Sequence, residues 1–182
     1  MLLHLRPAHS IALTPLRPAM LSWRNPFQPM RSLIIFFATG FYSGYSPIAP
    51  GTAGSVVGLA VVWLVFGPLW EHSHPLCLLV FAIAFAIACW ISDRAEKIFD
   101  QHDDSRIVID EVLGMVATMF GNPLTVGYMI MGFILFRVAD VIKPWPANLI
   151  DRRMRNGAGV MLDDLVAAIY ANIVLQVIVR VL

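Results

Sequence analysis

From residue 33 onward the chain alternates long apolar runs with short polar stretches, and the runs fall at about 54–70, 76–92, 105–139 and 162–182. Runs of this length and continuity predict helices buried in protein or lipid, hence an all-α fold. The third run holds Gly121-Asn122-Pro123. A flexible Gly followed by a Pro that cannot donate a hydrogen bond should split it into helices over about 105–120 and 124–139. About sixteen residues rise only ~24 Å, against ~30 Å of hydrocarbon. The expectation is therefore a bundle of short transmembrane helices that need local thinning, interfacial anchors or protein cover. Before the first run, Gly40–Gly54 is punctuated by Gly and Pro and reads as an entry segment. Residues 1–32 carry four Arg, five Pro and no acid. They read as a leader, disordered or interfacial, ahead of a membrane domain spanning 33–182.

Composition agrees with the pattern: 58% of the 182 residues are hydrophobic, 14% are charged and mean hydropathy is +0.72. Those values lie outside the range of soluble domains. A net charge of +1 and no basic face give nucleic acid nothing to bind. No obligate protein partner is evident either. Cys77 and Cys89 both lie inside an apolar run and read as small buried hydrophobes.

Charge position is more informative than charge total. All but Glu71 of the twelve carboxylates lie between Asp93 and Asp164. If 54–70 pairs with 76–92 and 105–120 pairs with 124–139 as helical hairpins, then Gly51–Ser55, Ser92–Glu111 and Asp140–Asp164 emerge on one side. Seven Lys and Arg lie in the last two of these stretches and none in Glu71–Pro75 or Gly121–Pro123. The positive-inside tendency makes that side cytoplasmic. Reading Gly121-Asn122-Pro123 as a kink in one long span would instead put Glu111 and Asp140 on opposite faces.

Four motifs carry candidate chemistry. Ser46-Pro-Ile-Ala-Pro-Gly51-Thr52-Ala-Gly-Ser55 runs into an apolar helix, whose free N–H groups favour an anion such as phosphate. Asp110-Glu111-Val-Leu-Gly114 places two acids at or a turn inside a helix, with a Gly for close approach. His102-Asp103-Asp104, just upstream, reads as solvated loop. Arg137, Asp140 and Lys143 recur at i, i+3, i+6 at the end of an apolar run closed by Pro144-Trp145-Pro146, with Trp145 suited to the interface. Last, Asp151 to Asp164 combines a basic run, in which Arg153 and Arg155 read as membrane anchors, with the pair Asp163-Asp164 one turn into a helix. Carboxylates at the edge of hydrocarbon are costly unless paired, protonated or bound to a cation. Several of them beside a phosphate suit Mg²⁺, and no thiolate or paired-His spacing argues for zinc.

Together, Ala49–Ser55, Ile109–Gly114, Phe136–Pro146 and Gly159–Asp164 resemble the phosphatidylglycerophosphatase A family, over about three quarters of the chain. The resemblance implies an all-helical, Mg²⁺-dependent phosphatase of the bacterial cytoplasmic (inner) membrane. Such an enzyme hydrolyses phosphatidylglycerophosphate to phosphatidylglycerol and phosphate, with its site on the cytoplasmic side. The long leader is additional to the family pattern.

On that basis Glu111, Asp140 and Asp164 are expected to hold one or two Mg²⁺, with Asp110 and Asp163 as further ligands or as groups behind them. Gly51, Thr52, Ser55 and Arg137 would bind the phosphate. Lys143 would join them, and Asp110, Glu111, Asp140, Lys143, Asp163 and Asp164 form the expected catalytic set. The acyl tails would stay in the bilayer between the helices. The competing reading is a small cation- or proton-coupled transporter using the same carboxylates, which calls for acids in mid-span or repeated half-helices. A non-catalytic membrane scaffold is a third.

Overall fold

The computed structural model describes residues 28–154 and 156–181, so the first 27 residues of the leader, Arg155 and Leu182 lie outside it. The described chain is helical, with no strand. Helix α1 is Gln28–Ala38, followed by a short 3-10 turn at Ser43–Tyr45. Helix α2, Pro50–Val61, passes through a widened π-helical turn, Val62–Phe66, into α3, Gly67–His72. Pro68 explains the widening: it has no N–H for the carbonyl one turn back, and its ring crowds that carbonyl. Ser73 caps α4, His74–Phe99, by accepting from the Leu76 N–H at 3.4 Å. Then come α5, Ile109–Met119, α6, Val126–Ile142, the short α7, Ala147–Arg153, and α8, Gly157–Val181.

Three helical stretches are long and apolar enough to cross a membrane: Pro50–His72, α4 and α8. They outrun the apolar blocks because the helices continue into flanking polar sequence. Helix α4, for example, carries Asp93–Lys97 on its last turns.

The departure from the expected run of short spans is α5. Its eleven residues rise only about 16 Å, and nine of them, from Asp110 to Met119 with Glu111 the exception, are buried. Helix α5 is a protein-sheathed half-span surrounded by α2, α4, α6 and α8. Gly121-Asn122-Pro123 is a hairpin turn, since α6 runs back along α5 and returns Arg137 to Glu111.

Small residues let the bundle close on α5. A Cβ on Gly54 would stand 2.7 Å from Val108 Cβ, and one on Gly58 would stand 2.6 Å from Met115 Cβ. From the other side, the buried Phe136 ring of α6 fills the space over Gly114, and Gly132 lies under Met119 and Leu175. These close approaches substitute for hydrophobic drive where lipid surrounds the bundle.

A half-span also ends with carbonyl groups that no intrahelical N–H reaches, and inside the bilayer no water replaces them. Asn172 of α8 meets that need, donating through Nδ2 to Thr118 O and Phe120 O, both at 2.8 Å. Asn122 adds a bond to Thr118 O at 3.2 Å, and Gln176 holds Asn172 by its Oδ1 at 2.8 Å. Asn172→Leu should therefore destabilise the folded protein by about 1–3 kcal/mol. Thermal unfolding in detergent checks it, and a variant as stable as the parent would show that α5 does not depend on this cap.

On the opposite, site-bearing end, α1 packs Ile34 and Ala38 against Ile91 and Ala95 of α4. The loop before α5 is locked by buried Asp104. Its carboxylate accepts from Arg106 Nε at 2.8 Å and from the Arg106 backbone N–H at 2.9 Å. Arg106 in turn lies 4.0 Å over the Phe99 ring. The guanidinium holds the Asp104 carboxyl below its usual range, against the opposing effect of burial. The expectation of plain solvated loop thus fails at Asp104, whose partner fixes it inside the fold, whereas His102 turns outward to Glu96 at 2.6 Å. Cys77 is buried, with Sγ 3.7 Å from Phe66 O, and both cysteines are free thiols.

Candidate active site

Four helix ends meet at one end of the bundle. The first two turns of α2 supply Gly51, Thr52 and Ser55, the first turn of α5 supplies Asp110 and Glu111, the last turns of α6 supply Arg137 and Asp140, and α8 supplies Asp163 and Asp164. Asp110 and Glu111 sit in the first turn of α5, which starts at Ile109, and not a turn further in. The N-terminal dipoles of α2 and α5 point at the cluster and partly offset its negative charge.

Asp110, Glu111 and Asp164 can each present one carboxylate oxygen such that the three lie within 4.8 Å of one another. Asp140 stands beside Glu111 and Asp164, close enough for their charges to interact, but its Oδ2 is drawn 2.9 Å from Arg137 Nη1. The three-oxygen group thus joins Glu111 and Asp164 to Asp110, which the sequence placed as a further ligand or a group behind them, while Asp140, expected among the ligands, is paired with Arg137. Asp110 Oδ1, Glu111 Oε2 and Asp164 Oδ2 are buried without a hydrogen-bond partner among the described residues. Buried carboxylate oxygens are seldom left so, because their desolvation goes uncompensated. Hard oxygen donors, close together and unpartnered, fit a hard divalent cation.

Arg137 is the organising cation. Its Nη1 reaches Asp140 at 2.9 Å, Ser55 Oγ at 3.5 Å and Glu111 Oε1 at 4.0 Å. Gly51 lies against the same group, and a Cβ there would collide with Glu111 Oε1 and come within 3.2 Å of Arg137 Nη2. Ser55 is buried and donates to Gly51 O at 2.9 Å, and half-buried Thr52 shares that first turn. The glycine-rich entry segment and the arginine–carboxylate pair therefore form one site.

Lys143 does not continue the Arg137–Asp140 ladder. It adopts a left-handed conformation, φ 46°, as the C-cap of α6, and its ammonium turns to Asp163 at 2.6 Å and Asp151 at 2.8 Å. Burial pulls its pKa down, but the two carboxylate bonds outweigh burial and hold it above its usual value. Buried Asp163 is thereby paired through Oδ2, while its Oδ1 is buried without a hydrogen-bond partner among the described residues. The sequence motif assigns Asp151 no role. It sits eight residues from Lys143, across the Pro144-Trp145-Pro146 turn, and only the turn's geometry shows the pairing. Trp145 is exposed at the rim, as expected of an interfacial residue, and its carbonyl accepts from Tyr170 Oη at 2.8 Å.

The family model for phosphatidylglycerophosphatase A matches residues 36–179, most of the chain and all four motifs. The chain belongs to the phosphatidylglycerophosphatase A family. Among curated relatives, the phosphatidylglycerophosphatase A of Escherichia coli K12 is 36% identical over 133 residues, which is 72% of this chain and 75% of the relative. That of Haemophilus influenzae is 34% identical over 153 residues, 82% of this chain and 92% of the relative. A protein of Bacteroides thetaiotaomicron, provisionally named a phosphatidylinositol-3-phosphatase, is 32% identical over 155 residues, 80% of this chain and 92% of its own length. No solved structure matches the chain significantly. Membership makes the protein a phosphatase, an enzyme of lipid metabolism, and the transporter alternative finds no support.

Proposed function

We propose that this phosphatidylglycerophosphatase A family member is a Mg²⁺-dependent phosphatidylglycerophosphatase of the bacterial inner membrane, with its site at the cytoplasmic rim. The clustering of Asp110, Glu111 and Asp164, each with one buried carboxylate oxygen that has no hydrogen-bond partner among the described residues, beside Arg137 and a glycine-rich helix start carries the reading. The side follows from the Lys and Arg residues of the site-bearing loops.

Asp110, Glu111 and Asp164 would hold the ion. Mg²⁺ bound there supplies the positive charge that lets a phosphate dianion approach a carboxylate cluster, and it stabilises charge on the transferring phosphoryl group. The protein's own groups then position the substrate. Arg137, oriented by Asp140, offers a planar fork to two phosphate oxygens. The free N–H groups at the start of α2 take a third, with Gly51 letting the backbone come close. Phe136, next to Arg137 in sequence, is buried with its ring packed over Gly114 of α5. Lys143 serves less as a phosphate clamp than as the tie between α6, α7 and α8 that keeps Asp164 facing Glu111. In the reaction the bond between phosphorus and the terminal glycerol oxygen breaks, water's oxygen remains on the phosphate, and a proton ends on the alcohol.

The purified protein in mixed micelles should release phosphate from phosphatidylglycerophosphate with Mg²⁺, lose that activity in EDTA and regain it when Mg²⁺ is restored. Phosphatidate and phosphatidylinositol 3-phosphate serve as comparison substrates. Undiminished turnover in EDTA would remove the metal from the proposal, and preference for the inositol lipid would replace its substrate.

A further inference from the structure

The π-helical turn after α2 meets α4 where the Phe66 ring packs on Phe81, centroids 6.2 Å apart, and where Cys77 lies under the Phe66 carbonyl. From there toward the site-bearing end α2 and α4 scarcely touch, although α2 packs on α5 and α4 packs on α1. The space between them is a cleft of about 280 Å³, backed by Ile109, Val112 and Leu113 of α5. Phe37 and Phe41 line it from the end of α1, which the Val108 N–H fastens to the start of α5 by donating to Ala38 O at 2.9 Å. Every lining side chain is apolar, so nothing there holds a water, which needs polar partners. Its mouth faces outward, with Phe41 46% and Ile87 52% exposed, while Ile91, Val112 and Leu113 are buried at its back. The seam between α2 and α5 separates it from the carboxylate cluster. There Gly54 and Gly58 draw α2 onto Val108, Val112 and Met115, and a Cβ on Gly58 would stand 2.8 Å from Val112 O.

We infer that the cleft binds one acyl chain of a membrane phospholipid other than the substrate, with the lipid phosphate on Arg94. Size fits a single chain. Between Ala84 and Ile91, both in the lining, α4 rises about 10 Å, and the volume holds on the order of ten methylene-sized groups at ~30 Å³ each. A further helix, itself about 10 Å across, would need far more room. Charge complementarity selects the head. Arg94 continues the stripe of Ile87 and Ile91 at i+7 and i+3, about 4.5 Å beyond Ile91 along α4. It is exposed, its guanidinium lies 5.6 Å from the Trp90 centroid, and no carboxylate pairs with it among the described residues. Neighbouring Asp93 is taken by Lys97 at 2.6 Å. An arginine and a tryptophan one turn apart suit the headgroup level, where a phosphate satisfies the free guanidinium. The seam excludes the substrate's own chain, because a head held at Arg137 lies across it. That exclusion rests on the proposed phosphatase site, whereas chain binding does not. A chain packed on Val112 and Leu113, the two residues after Glu111, supports the first turn of α5 from behind.

The full chain, purified in mild detergent, should retain a bound phospholipid by native mass spectrometry. Once delipidated, it should unfold at a higher temperature as dioleoyl phosphatidylglycerol is added, because a ligand of the folded state stabilises it. Ala84→Phe fills the cleft with its own ring, and should neither retain lipid nor show most of that shift. Arg94→Gln should need on the order of 10-fold more lipid for the same shift. Ile173→Trp, on an exposed position of α8, is the control and should respond as the parent does. A phosphatidylglycerol with a photoreactive acyl chain should label the unmodified protein on α4 and α5 around Ile87 and Val112. Equal shifts in Ala84→Phe and the parent, or label confined to α6 and α8, would overturn the cleft as the site, and the label decides this even where Ala84→Phe does not fold. An unchanged lipid requirement in Arg94→Gln would overturn the placement of the phosphate. A protein that retains phospholipid in the cleft but turns over no phosphatidylglycerophosphate would instead overturn the phosphatase reading and leave the cleft standing.

Discussion

Glu111→Gln and Asp164→Asn should each reduce phosphate release from the lipid at least about 100-fold while the protein stays folded. Each removes one donor from a group whose oxygens lie within 4.8 Å of one another. The loss should be greatest at low Mg²⁺ and partly recovered at high Mg²⁺, because a two-carboxylate site still binds the ion, more weakly. Combining the two changes should add little to either alone, since groups acting as a unit are not additive. Stability should move the other way. Asp110, Glu111, Asp140 and Asp164 lie close together, and Arg137 reaches only Glu111 and Asp140, so without Mg²⁺ a neutral amide relieves like-charge repulsion and the cost of buried charge. Thermal unfolding in EDTA should therefore occur at the same or a higher temperature in the variants than in the parent. Asp103→Asn, on the loop outside the site, should change neither quantity. Full activity in both site variants would end the assignment of the cluster.

Gly51→Ala should lower kcat/KM on the order of 100-fold through a single methyl group, because misplacing reacting groups by about 1 Å has effects of that size. The added Cβ meets the Glu111 carboxylate and the Arg137 guanidinium. Both are ends of long side chains, so they can swing aside and the fold survives, but neither can then hold its position at the start of α2. Gly58→Ala gives the contrast. There the Cβ would meet Met115 Cβ and the Val112 carbonyl, 2.6 and 2.8 Å away. That part of the bundle cannot yield, and the expected defect is in stability. Steady-state kinetics alongside unfolding midpoints separate the two, and a fully active Gly51→Ala would show that α2 does not bear on the site.

Much of the fold was legible because hydrocarbon imposes strong rules on sequence. The apolar blocks located α2–α3, α4, α6 and α8 to within several residues, and Gly121-Asn122-Pro123 marked the break between α5 and α6. The half-span character of α5 was not legible. Its sequence is as apolar as that of a spanning helix, and its dependence on Asn172, more than fifty residues away, leaves no local trace. The site divides in the same manner. Arg137 and Asp140 announce themselves by helical spacing and do pair, but Lys143 at the same spacing leaves the helix at its left-handed cap. Asp163 and Asp164 are neighbours in sequence and point to different partners, one to Lys143 and the other to Glu111 and Asp110, because successive helical residues lie about 100° apart.

What the sequence determined by itself is the membrane-embedded helical class, the four motifs and the chemistry their side chains could carry, since hydropathy, helix breakers and residue type are local properties. Tertiary structure alone decided which carboxylates share a cation-sized space and that Gly51 abuts Arg137. Those facts depend on how helix ends far apart in the chain are brought together, and that is set by glycine-mediated close packing around α5, which no single segment encodes.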